Sequence, residues 1–119
     1  MLNKLIYIIE DDKDIRDNLT ELLELEGFSV AVAENGKVAL DCLRQEGLRP
    51  NLIILDLMMP VMDGRSFLTL IKESPKLNSI PIVVISAGAE KIDGNLAGFM
   101  KKPLDVDEVL TVALKFCGS

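Results

Sequence analysis

The sequence predicts an α/β domain, a parallel sheet of five strands with helices packed on both faces. Two observations carry this. The apolar runs Leu5–Ile9, Leu52–Leu55 and Ile82–Ile85 are of strand length and stop abruptly at polar or charged residues, as strands buried on both faces of a parallel sheet do. Between the strands the apolar residues recur at helical spacing, so strand and helix alternate along the chain.

Leu5–Ile9 reads as a central strand ended by Glu10-Asp11-Asp12. A helix follows from Lys13 to about Glu26, with Asp12 as N-cap, Asp14 favoured in the first turn, and an apolar stripe of Ile15, Leu19, Leu22 and Leu23. Gly27 closes it. Phe28, Val30 and Val32 alternate with Ser29, Ala31 and Ala33, the pattern of a more exposed, edge strand. Asn35-Gly36 opens a second helix to about Glu46 that buries Val38, Ala39, Cys42 and Leu43.

Leu52–Leu55 is bounded by Pro50-Asn51 and Pro60 and ends in Asp56. An ionised carboxylate cannot sit unpaired inside such a strand, which places Asp56 at its C-terminal lip, where open α/β sheets bind ligands. Asp63-Gly64 can signal a hairpin, but the period after it is helical, giving a third helix from Gly64 to Glu73 that buries Phe67, Leu68 and Ile71 and stops at Ser74-Pro75. Pro81 suits the first position of the strand that runs through Ile82–Ile85 to Ser86. Residues 87–98 carry three glycines and read as a loop with at most a short helix. Phe99-Met100 is a brief last strand ending at Lys101-Lys102-Pro103. Asp105 and Glu108 make a capping-box-like start to a final helix that buries Val106, Val109, Leu110 and Ala113 and finishes near Cys117-Gly118.

At 119 residues, 49% of them hydrophobic, the chain is expected to form one domain over residues 1–119 and to bury roughly two-thirds of its surface. A net charge of −6 argues against direct binding to nucleic acid or anionic membrane. Cys42 and Cys117 lack metal-ligand spacing and read as reduced, half-buried thiols of a cytosolic protein. The absence of histidine removes the commonest general base and metal ligand. The first apolar run is cut short by Glu10-Asp11-Asp12, so it is neither a signal peptide nor a membrane span, and a cytoplasmic location is expected.

In a parallel sheet the strand C-termini share one edge, which gathers Glu10, Asp11, Asp56, Ser86 and Lys102 on a common rim. Carboxylates a few ångströms apart repel one another unless a cation neutralises them. With oxygen ligands alone, a hard cation such as Mg²⁺ fits best. A carboxylate beside Mg²⁺ can be a nucleophile toward a phosphoryl group, forming an aspartyl phosphate. Such transfer depends on positioning and charge neutralisation.

Four segments in order, Ile-Ile-Glu10-Asp11-Asp12, Ile-Leu-Asp56-Leu-Met-Met-Pro60-Val-Met-Asp-Gly64, Val-Ile-Ser86-Ala87 and Phe-Met-Lys-Lys102-Pro103, resemble the receiver domains of two-component response regulators. The resemblance runs from Lys4 to Phe116. It implies a flavodoxin-like fold with strand order 2-1-3-4-5 and a signalling phosphoacceptor, not an enzyme. Asp56 would take the phosphoryl group from a sensor histidine kinase or phosphotransfer protein. Asp11 would bind Mg²⁺ directly, Glu10 through water, and Met58 through its backbone carbonyl. Lys102 would pair with the phosphoryl oxygens, Ser86 would hydrogen-bond one of them, and Phe99 matches the aromatic that switches inward. Lys101 reads as a solvated surface charge, and Met58, Met59 and Met62 as packing residues. Lys102 must turn back over the rim while the chain leaves the last strand, so the Lys102-Pro103 peptide is expected to be cis.

Lys102 follows Ser86 by only sixteen positions, shorter than in most relatives by roughly one to two helical turns, so the fourth helix is expected to be abbreviated. The chain is read as either a stand-alone receiver or a piece of a longer protein, acting on a downstream output protein or an output domain. Three other classes compete. A Mg²⁺-dependent aspartyl phosphatase of the haloacid-dehalogenase kind wants an acid where Met58 stands. A flavin-binding redox protein needs a phosphate loop where Glu10-Asp11-Asp12 would repel phosphate. An unphosphorylated interaction module on the same scaffold would not use the rim.

Overall fold

The computed structural model describes residues 4–88 and 96–117. Its elements are β1 (Leu5–Ile9), α1 (Lys13–Leu25), β2 (Ser29–Ala33), α2 (Gly36–Gln45), β3 (Leu52–Asp56), α3 (Gly64–Lys72), β4 (Ile82–Ser86), β5 (Gly98–Lys101) and α4 (Val106–Cys117). All pairings are parallel, and the order β2-β1-β3-β4-β5 is the flavodoxin-like one. No helix among the described residues is long and apolar enough to cross a membrane.

The continuous apolar character of the inner strands follows from two buried faces. Successive side chains of a strand point to opposite sides. Ile6, Ile8, Leu52, Ile54, Val83 and Ile85 pack with Leu19 and Leu23 of α1 and with Val109, Ala113 and Cys117 of α4. Tyr7, Ile9, Ile53, Leu55 and Val84 pack with Ala39, Leu40 and Leu43 of α2 and Phe67, Leu68 and Ile71 of α3. Each fully buried leucine or isoleucine contributes about 1.5–3 kcal/mol relative to leaving it exposed. Neither face can therefore accept a charged side chain without a partner, and the acids are driven to the strand ends, while Tyr7 buries its hydroxyl within β1.

The helix starts are fixed by short polar side chains. Asp12 accepts from the N–H groups of Asp14 and Ile15, Asn35 from Val38, and Asp63 from Ser66. Gly27 takes a φ of 93° just after α1, the left-handed conformation that favours glycine. Asp105 Oδ1 accepts from the Asp107 N–H at 2.8 Å, so the bond at the start of α4 goes to Asp107 and not to Glu108.

Several packing expectations change. The buried stripe of α2 runs Gly36, Ala39, Leu40 and Leu43, which leaves Val38 on its flank, 39% exposed. In α4 the buried positions are Val109, Ala113 and Cys117, one turn apart. Val106 is exposed beside the apolar groove that α4 forms with α1, Leu110 is only partly buried, and Cys117 is buried, not half-buried. Ile15 and Leu22 are partly buried flanks of the α1 stripe. Pro81 precedes its strand, but its carbonyl accepts from the Ile53 N–H at 2.9 Å and so extends the ladder. The short helix expected within residues 87–98, and hence the abbreviated fourth helix, falls largely on residues 89–95, outside the described residues. The Lys102–Pro103 peptide is cis, as expected.

Between β3 and α3, Val61 has a φ of 68° and is 78% exposed. A β-branched residue in the left-handed region is strained by about 1–2 kcal/mol, whereas asparagine tolerates it. Val61→Asn removes no buried contact, so it should stabilise the fold by about 1 kcal/mol, a rise of roughly 4 °C in melting temperature. Thermal unfolding followed by circular dichroism tests this, and an unchanged or lower Tm would contradict the strain.

Candidate functional site

Strand register assembles the site. Ile9 pairs with Leu55, so Glu10 and Asp56 stand level at the ends of β1 and β3. These neighbours mark the point where the strand order reverses, the crevice in which open α/β sheets bind ligands. Asp56 pairs with Ile85, and Ser86 pairs with Lys101. The Lys102 N–H then donates to the Ser86 carbonyl at 2.8 Å, which sets the backbone from which the Lys102 ammonium reaches back over the rim.

Asp56 is 2% exposed. Its Oδ1 accepts from the Met58 N–H at 3.2 Å, and its Oδ2 lies 3.4 Å from Lys102 Nζ. Lys102 sits closer to Glu10, with Nζ 2.8 Å from Oε1. That contact is short enough for an ion pair but lacks hydrogen-bond geometry, and Glu10 Oε1 is a buried acceptor without a hydrogen-bond partner. Glu10 Oε2 accepts from the Asp12 N–H at 3.2 Å. Asp11 is exposed at the mouth of the crevice. The three acids each offer one oxygen, all within 4.8 Å of one another.

Electrostatics follows from this crowding. Burial, reinforced by a hydrogen bond with Asp56, pushes the Glu10 carboxyl up to about 8, against the opposing pull of Lys102. Burial works to raise Asp11 as well, but hydrogen bonds with Glu10 and Asp56 outweigh it and hold Asp11 below the usual aspartate value. Burial alone would lower Lys102, yet its close ion pair with Glu10 and the nearby charge of Asp56 raise it. An all-oxygen donor set of three acids countered by a single ammonium suits a hard divalent cation, which would replace repulsion by attraction.

The other expected residues are distributed as follows. Ser86 is fully buried, its Oγ accepting from the Gly88 N–H at 3.1 Å. Phe99, on the edge strand β5, is 44% exposed and so faces outward. Lys101 is exposed. Met59 and Met62 pack against the core on the α2–α3 side, but Met58 is 65% exposed and is not a packing residue.

Two features escaped the sequence reading. A Cβ at Gly64 would come within 2.7 Å of the Asp56 carbonyl oxygen and of Leu57 Cα, so only glycine lets α3 start directly beneath the lip that carries Asp56. The Asp63-Gly64 pair held that signal. Arg16, on α1, donates from Nη1 to the carbonyls of Glu10 at 2.8 Å and Asp11 at 3.2 Å. Nothing in the residue pattern announces that bond.

The family model of the response regulator receiver domain matches residues 6–114. An uncharacterized 14.6 kDa protein from the sodA1 3′ region of Leptolyngbya boryana is 35% identical, over 94% of this chain and 88% of its own length. Response regulator MprA of Mycolicibacterium vanbaalenii is 32% identical over 88% of this chain, which spans only 46% of that protein. Among solved structures, the phosphorylated cyanobacterial phytochrome response regulator RcpA is 27% identical with a TM-score of 0.82, covering 97% of this chain and 94% of that one. The Mn²⁺-bound form of response regulator Rcp1 is 28% identical with a TM-score of 0.82, covering 93% and 92%.

Glu10 gives the fold a pH dependence. Its carboxyl is raised from 4.5 to about 8 in the folded protein. The folded state therefore holds the proton more tightly, and the stability that this contributes is full below about 4.5 and is lost as pH rises toward 8. The depressed Asp11 acts in the opposite sense, but below its ordinary value of 3.8 and so outside this window. In EDTA the Tm should fall between pH 5 and 8, and Glu10→Gln should flatten that slope. A wild-type Tm that rises across this range would contradict the assignment.

Proposed function

The chain belongs to the response regulator receiver family, and from that premise we propose that it is a signalling phosphoacceptor that takes a phosphoryl group on Asp56. The observation that carries this reading is the placement of Asp56. It is a nearly buried carboxylate at a strand end, with an ammonium 3.4 Å away and two further acids able to share a cation with it. In the proposed step an Asp56 carboxylate oxygen attacks the phosphorus of a phosphohistidine on a sensor kinase or phosphotransfer protein. The new O–P bond forms as the P–N bond breaks, and the imidazole leaves with the bonding electron pair. Lys102 offsets charge on the phosphoryl oxygens, and the N–H of Met58, already donating to Asp56, holds the carboxylate in place.

The acidic cluster fits a divalent cation such as Mg²⁺, which Asp11 and Asp56 would hold directly, with Glu10 acting through water and Met58 through its backbone carbonyl. When bound it would supply charge neutralisation for the attacking carboxylate and the phosphoryl oxygens. The fit rests on the three acids, each of which offers an oxygen within 4.8 Å of the others. After transfer, Ser86 is proposed to hydrogen-bond a phosphoryl oxygen, exchanging its present bond from Gly88. Phe99, exposed on β5, would turn inward and change the surface presented to an output protein or output domain. The family role is signalling rather than turnover, and a cytoplasmic setting agrees with it.

Incubation with Mg²⁺ and acetyl phosphate should add one acid-labile phosphoryl group, seen by intact-mass measurement and absent in Asp56→Asn. Equal modification of the Asn variant would place the nucleophile elsewhere.

Without metal, Asp56→Asn should raise the Tm by relieving carboxylate repulsion. Mg²⁺ should stabilise wild type by about 2.7 kcal/mol at a hundredfold excess over Kd, and the variant by less. Full additivity of the two effects, read by thermal unfolding, would argue against a shared acidic site.

A further inference from the structure

The acidic turn between β1 and α1 is tied down by its main chain. The Glu10 N–H donates to the Ala33 carbonyl at 3.0 Å, and the Arg16 N–H donates to the Asp12 carbonyl at 3.0 Å. The Asp12 N–H donates to Glu10 Oε2, and Asp12 Oδ1 caps α1. The carbonyls of Glu10 and Asp11 are satisfied from the side, by one nitrogen of Arg16. Arg16 is half-buried, and its own carbonyl accepts from Thr20 Oγ1 at 2.8 Å.

We propose that Arg16 is a positioning residue for the divalent-cation site, holding the Glu10–Asp11 peptide so that both carboxylates keep a geometry that a small cation accepts. The inference rests on the proposed function, because it assumes that the site binds such a cation. Mg²⁺ demands near-ideal octahedral geometry, so the carboxylates must be held within narrow limits. Without the guanidinium the carbonyl of buried Glu10 loses its donor, and the turn must move to recover one. Groups that orient metal ligands commonly alter affinity by about 10–100-fold when removed.

Charge makes the idea decidable by sign. Arg16 is a cation beside a cation site, so electrostatics alone predicts that its removal tightens metal binding. Positioning predicts the reverse. A purely structural role would lower the Tm and leave the affinity of the folded protein unchanged.

The test is a Mg²⁺ titration of the full chain, followed by amide chemical shifts, for wild type, Arg16→Met and Arg16→Lys, with the Tm of each measured in parallel. Arg16→Met keeps the aliphatic stem and should raise the Mg²⁺ Kd about tenfold. Arg16→Lys keeps the charge and the donors and should recover most of the affinity. A Kd for Arg16→Met equal to or tighter than that of wild type overturns the inference, whatever its Tm. If Arg16→Met does not fold, Arg16→Gln replaces it, because its amide is too short to reach both carbonyls, and the same reading of Kd applies. A wild type whose shifts do not respond to Mg²⁺ overturns the functional reading itself, and the inference falls with it.

Discussion

Three carboxylates converge where β1 and β3 end side by side, and the Lys102 ammonium is shared between two of them. That crowding is the constraint on which the rest of the architecture depends. It costs stability in the absence of a cation, so the surrounding structure must hold the acids where they are. Strand pairing sets Glu10 level with Asp56, the Ser86 carbonyl anchors the backbone of Lys102, and the Asp12 cap turns the chain away at once into α1.

The sheet makes this arrangement unavoidable as well as affordable. Its inner strands bury both faces, so charged side chains have no place along them, and the only polar group within them, short of the strand ends, is the buried hydroxyl of Tyr7. All five strands run parallel, so the polar ends are collected on one side. The chemistry is concentrated by the same exclusion that builds the core. Lys102 is nearer to Glu10 than to Asp56, which leaves Asp56 Oδ2 only loosely engaged. A carboxylate held in this way is neutralised in part without being consumed by a tight ion pair.

Much of this was legible in the sequence because the strands have a single physical reading. Ile53-Ile54-Leu55 before Asp56 admits little else than a doubly buried strand with its acid at the lip, and the structure keeps all three residues fully buried. Helix phase was harder to read. Hydrophobicity alone places Val38 inward, but the Asn35 cap starts α2 where the buried stripe passes to one side of it. Val106 failed similarly in the first turn of α4. Met58 reads as core by composition, yet the loop turns it outward. The Arg16 bonds run from a side chain to backbone carbonyls, and carbonyls leave no trace in residue identity. Gly64 was legible only as a turn residue, because the need for it arises from how closely α3 approaches the end of β3.

The β3–α3 connection is a closed loop. The Gly64 N–H donates to the Leu57 carbonyl at 3.0 Å, and the Met62 carbonyl accepts from the Gly36 N–H at 3.2 Å. With both ends and one flank pinned, the loop has a fixed length but a free vocabulary. Its side chains at positions 58 and 61 are largely exposed to solvent. The length of the loop is thereby set by backbone hydrogen bonds, while the side chains at these two positions are free of packing constraints.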